Sequence, residues 1–274
     1  MARDVTVEQL TASKGKVVVQ KAKVSKVRLR VQRGDPGQTP TMQEFEVEVE
    51  EGMVVLDAVH RIQEHQAEDL ACRWNCKAGK CGSCSAEIDG KPRLMCMARL
   101  DDFAEGEPIT ITPVRTFPVI KDLVTDVSWN YAVNKRIPPF QHGKLSAEEQ
   151  AKGELRMTQA DVDRVQEFRK CIECFLCQDV CHVLRDAAQP GFYGPRFMIR
   201  IASLEMHPKD AVDRTALAKE EAGVGYCNIT KCCTEVCPEH IKITDNGIIP
   251  LKERVADRYY DPVQMLWRAV KKKG

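Results

Sequence analysis

Cys171-Ile-Glu-Cys174-Phe-Leu-Cys177-Gln-Asp-Val-Cys181 decides how this chain is read. Four cysteines stand at C-x2-C-x2-C-x3-C spacing. Three thiolates so close together can cap one cubane iron–sulfur cluster, while the fourth points towards another. The spacing is too tight for an ordinary zinc ribbon. The run therefore calls for a partner elsewhere in the chain.

That partner is Cys227-Asn-Ile-Thr-Lys-Cys232-Cys233-Thr-Glu-Val-Cys237-Pro238. The same spacing laid from Cys227 gives slots at 227, 230, 233 and 237, followed by proline as in bacterial ferredoxins. Slot 230 holds Thr230 instead of cysteine. In two-cluster ferredoxins the last cysteine of each run ligates the other run's cluster. By that rule Cys171, Cys174, Cys177 and Cys237 complete a [4Fe–4S] set. Cys181, Cys227 and Cys233 leave one corner without a thiolate, which suits a [3Fe–4S] cluster. A rival reading makes Cys232 a fourth ligand there, although neighbouring side chains usually diverge.

Upstream, Cys72-Arg-Trp-Asn-Cys76-Lys-Ala-Gly-Lys-Cys81-Gly-Ser-Cys84 and Cys96 form a third group. From Cys76 the spacing is C-x4-C-x2-C-x11-C, and its first part is the plant-type [2Fe–2S] pattern. Gly79 and Gly82 let backbone pass close to an anionic cluster and aim N–H groups at it. Zinc is the competing reading of four cysteines. Cys72 and Cys232 remain outside the three sets.

The flanking pattern supplies the fold. Residues 26–32 and 44–50 alternate strictly, as half-buried strands do. Antiparallel pairing would set Lys26, Arg28 and Arg30 against Glu44, Glu46 and Glu48; such a face is either a docking surface or, as we favour, simply solvated. Met53–His65 is apolar at helical spacing. Ile88-Asp89-Gly90-Lys91 reads as a hairpin turn returning Cys96 to the loop, and Ile109–Ile111 as a closing strand. These features predict an α+β chain. A β-grasp, plant-type ferredoxin domain over 1–115 precedes a connection over 116–145. An all-α, bacterial-ferredoxin-like domain with two clusters follows over 146–274. In residues 1–24 only Val17–Val19 suggests a strand. Trp129 and Tyr131 are expected to pack between the domains. Ser146-Ala-Glu-Glu149 is a capping box, an apolar stripe runs from Leu155 to Phe168, and further helices are expected near 196–206, 210–222 and 248–257.

Composition agrees. Thirteen cysteines, an odd number gathered in runs, point to metal thiolates rather than disulfides. A net charge of +1 offers no case for nucleic-acid binding. The sequence shows neither a membrane-spanning run nor a signal-peptide core, and a cytoplasmic location is expected.

With these motifs in place, the chain resembles the iron–sulfur subunits of succinate dehydrogenase and fumarate reductase over nearly its whole length. The resemblance rests on Cys76–Cys84, Cys96 and the two runs with Thr230 in the non-cysteine slot. It implies a peripheral subunit at the cytoplasmic face of the membrane, between a flavoprotein carrying covalent FAD and a membrane anchor. Electrons would pass from FAD through [2Fe–2S], [4Fe–4S] and [3Fe–4S] to quinone at the anchor interface. Substrate chemistry would lie on another chain, since no acid–base or nucleophilic constellation occurs here. His60, His65 and His142 read as ordinary surface or core residues.

Two departures stand out. Proline and a nearby tryptophan are common after the first run in the family, whereas here the chain reads Cys181-His182-Val-Leu-Arg-Asp186. Asn228 stands where some members have histidine. His182, Asn228 and Thr230 are therefore the candidates for a quinone or [3Fe–4S] environment, with His182 as a structural substitute for proline the alternative. The basic tail, Tyr259–Lys273, could lie on an anionic membrane or the anchor. Beside this succinate-oxidising reading stand a fumarate reductase running in the opposite direction, a free polyferredoxin carrier and a zinc scaffold.

Overall fold

A computed structural model describes residues 10–13, 16–19, 25–185 and 191–263. The tail beyond residue 263 lies outside them. A hairpin of β1 (Leu10–Ser13) and β2 (Lys16–Val19) comes first, so Val17–Val19 is a strand as its composition suggests. The alternating segments become β3 (Ser25–Arg33) and β4 (Thr41–Val49). They pair antiparallel with Lys26 opposite Glu48, Arg28 opposite Glu46 and Arg30 opposite Glu44. Phe45, Val47 and Val49 are buried, and the glutamates between them are exposed. Arg30 and Glu44 form an ion pair at 2.8 Å. Exposed pairs of this kind contribute about 0.2–1 kcal/mol each.

Helix α1 (Val55–His65) buries Val55, Leu56, Ala58, Val59 and Ile62. Asp57 receives the Val54 N–H at its N-terminus. Strands β5 (Ser85–Ile88) and β6 (Lys91–Leu94) are joined by Asp89 and Gly90, both at positive φ. That two-residue turn matches the right-handed twist of the strands. It carries Cys96 back towards Cys84, where Met95 N–H donates to the Cys84 carbonyl at 2.9 Å. Strand β7 (Ile109–Thr112) runs parallel to β3 and antiparallel to β5, giving the order β4-β3-β7-β5-β6.

The connection is more structured than its prolines suggest. It holds a hairpin, β8 (Val119–Lys121) and β9 (Val124–Thr125), then α2 (Ser128–Arg136). Buried Asp122 ties this hairpin to the sheet domain, accepting from Arg33 at 3.1 Å, Gly34 N–H at 2.9 Å and Ala71 N–H at 2.8 Å. On the other side, fully buried Arg214 donates to the Pro138 and Pro139 carbonyls and pairs with Asp210 at 2.9 Å. Trp129 and Tyr131 stand edge-on to Phe197 and Phe175, yet each keeps about half its surface exposed.

The rest of the described chain is helical. Helix α3 (Ala147–Lys152) begins with the anticipated capping box, Ser146 and Glu149 bonding reciprocally. Helix α4 (Gln159–Gln166) starts later than the apolar stripe implies, because Thr158 caps it and Leu155 stays exposed. One-turn helices α5 (Leu176–Asp179) and α6 (His182–Arg185) precede α7 (Pro195–Glu205). Another short helix, α8 (Cys232–Glu235), and α9 (Ile249–Tyr259) follow. Between Asp210 and Ala222 the helix is shorter than expected: Thr215 and Ala216 lead into a π-turn over Leu217–Glu221. Asp210 and Asp213 accept from the N–H groups two residues on, at 3.0 and 2.9 Å, a local bonding pattern that competes with helix. Helix α7 runs through the second core, with Phe197, Met198, Ile199, Ile201 and Ala202 buried. The two cores meet where Leu176 and Val236 pack against the sheet domain.

Three candidate iron–sulfur centres

In the first group the chain winds around its cysteines through three left-handed residues, Lys77, Gly79 and Gly82. Their turns aim N–H groups inward. Ala78 and Lys80 donate to Cys76 Sγ at 3.3 and 3.4 Å, and Ser83 donates to Cys81 Sγ at 3.5 Å. The Ala78 and Lys80 N–H groups, with Cys81 beside them, hold the Cys76 thiol down at about 6. Burial pushes Cys84 up to about 12, with Cys96 adjacent. Cys72 stands apart in the N-terminal core, raised to about 12 by burial alone.

The second and third groups are built on a repeated backbone. Glu173 and Phe175 take positive φ two and four residues after Cys171. Ile229 and Lys231 do the same after Cys227. Helix α5 then follows in one run and α8 at the same place in the other. Thr230 thus falls on the place of Cys174, Cys233 on that of Cys177, and Cys237 on that of Cys181. Cys232 falls on the place of Leu176, a residue that faces the N-terminal core.

Cys171, Cys174, Cys177 and Cys237 line one cavity together with Ile199, Ile241 and Arg196. Burial pushes Cys174 up to about 12 and raises Cys177 well above the usual thiol range. Cys171 is raised by burial, while the Arg196 guanidinium works against that rise. Thiols so placed cannot all ionise without a cationic group among them, and iron would supply that charge. The Arg196 Nε is buried with no hydrogen-bond partner.

The third group gathers Cys181, Cys227 and Cys233. Burial raises Cys181, and the nearby Cys232 and Cys227 thiols add to it. Burial pushes Cys233 to about 12, the Thr244 hydroxyl at 3.5 Å opposing the rise. Thr230 Oγ1 lies 3.3 Å from Cys232 Sγ, which reaches the Val180 carbonyl at 3.7 Å. Thr230 and Asn228 are exposed, and His182 is half-buried at the start of α6 beside Cys181. Among the described residues, no three His, Cys, Asp or Glu side chains converge tightly enough for a single metal ion. A tetrahedral zinc site needs sulfurs about 2.3 Å from one point.

The first and second groups touch through backbone. Ser85 Oγ donates to the Cys174 carbonyl at 2.8 Å. A Cβ on Gly82 would lie 2.8 Å from Cys174 Cα. Around this contact, Arg185 pairs with buried Glu87, Thr116 N–H donates to buried Asp179 at 3.2 Å, and Lys80 pairs with Glu239 at 3.1 Å.

Comparison with known proteins agrees with these groups. Residues 28–131 match the family described as a 2Fe-2S iron-sulfur cluster binding domain, and residues 167–241 match the 4Fe-4S dicluster domain. A fumarate reductase iron-sulfur subunit of Mycobacterium tuberculosis is 34% identical over 74% of this chain and 81% of its own length. A CoM/CoB fumarate reductase chain from Methanothermobacter marburgensis is 31% identical over 82% of this chain but 44% of that longer protein. The solved Mycobacterium smegmatis Sdh1 complex in its apo form contains a chain 61% identical, with a TM-score of 0.83, covering 88% of this chain and 100% of that one. This chain is an iron–sulfur subunit of the succinate dehydrogenase and fumarate reductase family. The [2Fe–2S] domain of this iron–sulfur subunit spans the sheet and its cysteine loop, and its dicluster domain spans both runs. Among the described residues of the subunit, no helix is long and apolar enough to cross a membrane.

Sequence reasoning about the iron–sulfur subunit overlooked Ser85, Gln178 and Arg196. For Arg196 the available signal is Gly194-Pro195-Arg196, a glycine cap and a first-turn proline that fix where α7 begins.

Proposed function

We propose that this chain carries electrons between a FAD-bearing flavoprotein and quinone at a membrane anchor, in the direction of succinate oxidation. The β-grasp reading of residues 1–115 draws support from the strand order with α1 against it. Residues 116–145 act as the connection and 146–274 as the two-cluster domain. Cys76, Cys81, Cys84 and Cys96 would hold [2Fe–2S]. Cys171, Cys174, Cys177 and Cys237 would hold [4Fe–4S], and Cys181, Cys227 and Cys233 would hold [3Fe–4S].

The observation that carries this reading is the repeated backbone of the two runs with Thr230 in one ligand slot. Thr230 offers a hydroxyl where its counterpart Cys174 offers a thiol. Cys232, on the place of Leu176, has its Sγ turned to the Thr230 hydroxyl and the Val180 carbonyl. Such clusters exchange single electrons, linking two-electron flavin and quinone chemistry, at potentials tuned by charge, hydrogen bonds and exposure. The chain's own residues fix the clusters' spacing, exclude water through burial, and supply N–H donors to sulfur. His182, Asn228 and Thr230 edge the quinone-side centre. The flavoprotein and anchor hold this subunit at the cytoplasmic face of the membrane, and no nucleic acid is involved.

Expression with candidate flavoprotein and anchor chains tests the proposal. The expected result is co-purification in detergent, succinate-to-quinone activity exceeding the reverse fumarate reaction, and a [3Fe–4S] EPR signal in the oxidised complex. A free monomer without either activity would overturn the electron-transfer role. Four irons at the third site, without that signal, would overturn its assignment.

A further inference from the structure

A buried cation lines the cavity of the second cysteine group. Arg196 is 6% exposed and lines the same cavity as Cys171, Cys174, Cys177 and Cys237. Its outer nitrogen is committed to Glu173, and its backbone N–H donates to Gln178 Oε1 at 3.2 Å. Its Nε has no partner. A buried charged donor left unmet is costly, so an acceptor is called for. At the third group the corresponding polar neighbour is neutral: the Thr244 hydroxyl beside Cys233.

The arginine is held there by dedicated structure. Gly194, at φ +87°, caps α7, and Pro195 sets its first turn. A Cβ on Gly194 would meet Gln178 Oε1 at 2.2 Å and Leu184 Cδ1 at 2.6 Å. Fully buried Gln178, in the first cysteine run, also donates to the Tyr193 carbonyl at 2.9 Å. The start of α7 is thereby clamped to the run that bears Cys174 and Cys177.

We propose that Arg196 raises the reduction potential of the [4Fe–4S] centre, its Nε–H donating to a sulfur of that cluster. The inference rests on the ligand set proposed above. Positive charge and a donor to sulfur both favour the more negative, reduced cluster. Glu173, paired with Arg196 and partly exposed, offsets part of that charge. Arg196 thus positions a potential, and no substrate touches it.

EPR-monitored redox titration of the assembled complex tests this, comparing wild type with Arg196→Lys and Arg196→Gln. The [4Fe–4S] midpoint should fall in both, and further in Arg196→Gln, while the [2Fe–2S] midpoint holds. A fully iron-loaded Arg196→Gln complex at the wild-type midpoint overturns the inference. Should Arg196→Gln fail to assemble, Glu173→Gln decides: a higher midpoint supports the role of Arg196 and an unchanged one overturns it. A wild-type complex lacking any [4Fe–4S] signal overturns the ligand set, and this inference with it.

Discussion

At the scale of single residues, the cysteines were legible and their helpers were not. Spacing and the crossover between runs group Cys237 with Cys171, Cys174 and Cys177, and these four do line one cavity. Even the Thr230 gap could be placed by counting. Arg196 and Ser85 reach the groups only through tertiary contact, and no local pattern announces that. Gly82 lies between these cases: its need for positive φ is visible in the loop, but its contact with the other domain is not. Its Cβ would meet backbone, Cys174 Cα and the Ile172 carbonyl oxygen, each at 2.8 Å. Gly90 has a similar φ of +73° with nothing within 4 Å. Gly82→Ala should therefore lose more stability than Gly90→Ala, whose strain alone costs on the order of 1–3 kcal/mol. Thermal unfolding of the two loaded variants checks this, and equal losses would show that the domain contact tolerates a methyl group.

At the scale of elements, strands were read well and short helices poorly. The alternation of β3 and β4 has only one outcome when one face must be buried, so register and charge pairing followed. Helices α5 and α8 are one turn long, too short to form on their own. Their cause is the left-handed pair before each, set by the wrapping of backbone around thiols. In the stretch from 210 to 222 the helix starts only at Thr215, because Asp210 and Asp213 bond their own backbone, while Arg214 is drawn to the connection. That arginine supplies a test. Arg214→Ala leaves Asp210 buried without its cation, and breaking a buried pair costs about 3–5 kcal/mol. Lys152→Ala, which opens the exposed pair with Glu148, should cost about 0–1 kcal/mol. Urea titrations should separate the two; a similar midpoint would mean that Arg214 is dispensable to the connection.

For the whole molecule, two cores share one boundary, with Leu176 and Val236 crossing it and Arg185, Thr116 and Lys80 bonding across it. The domain order was legible, but the ordered connection was not, since prolines announce turns and say nothing of Asp122 or Arg214. The cores differ in what supports them. The sheet has long ladders of its own, whereas the stretch from 167 to 241 depends on groups of thiols that metal would draw together. Stripping iron with a chelator should expose sites in 167–241 to limited proteolysis before any in the five-stranded sheet. Cleavage appearing first in β3 or β4 would reverse that order of dependence.

The exchange of cysteines between the two runs also has a meaning in time. Chains emerge from the ribosome N-terminus first, and domains fold as they appear. The cysteine group ending at Cys96 emerges before either of the two runs. The cavity of Cys171, Cys174 and Cys177 lacks its last wall until Cys237 emerges, and Cys181 waits for Cys227 and Cys233. On the ligand sets proposed above, cluster insertion follows chain order: one centre can be filled once Cys96 has emerged, and the other two only after Cys237 has.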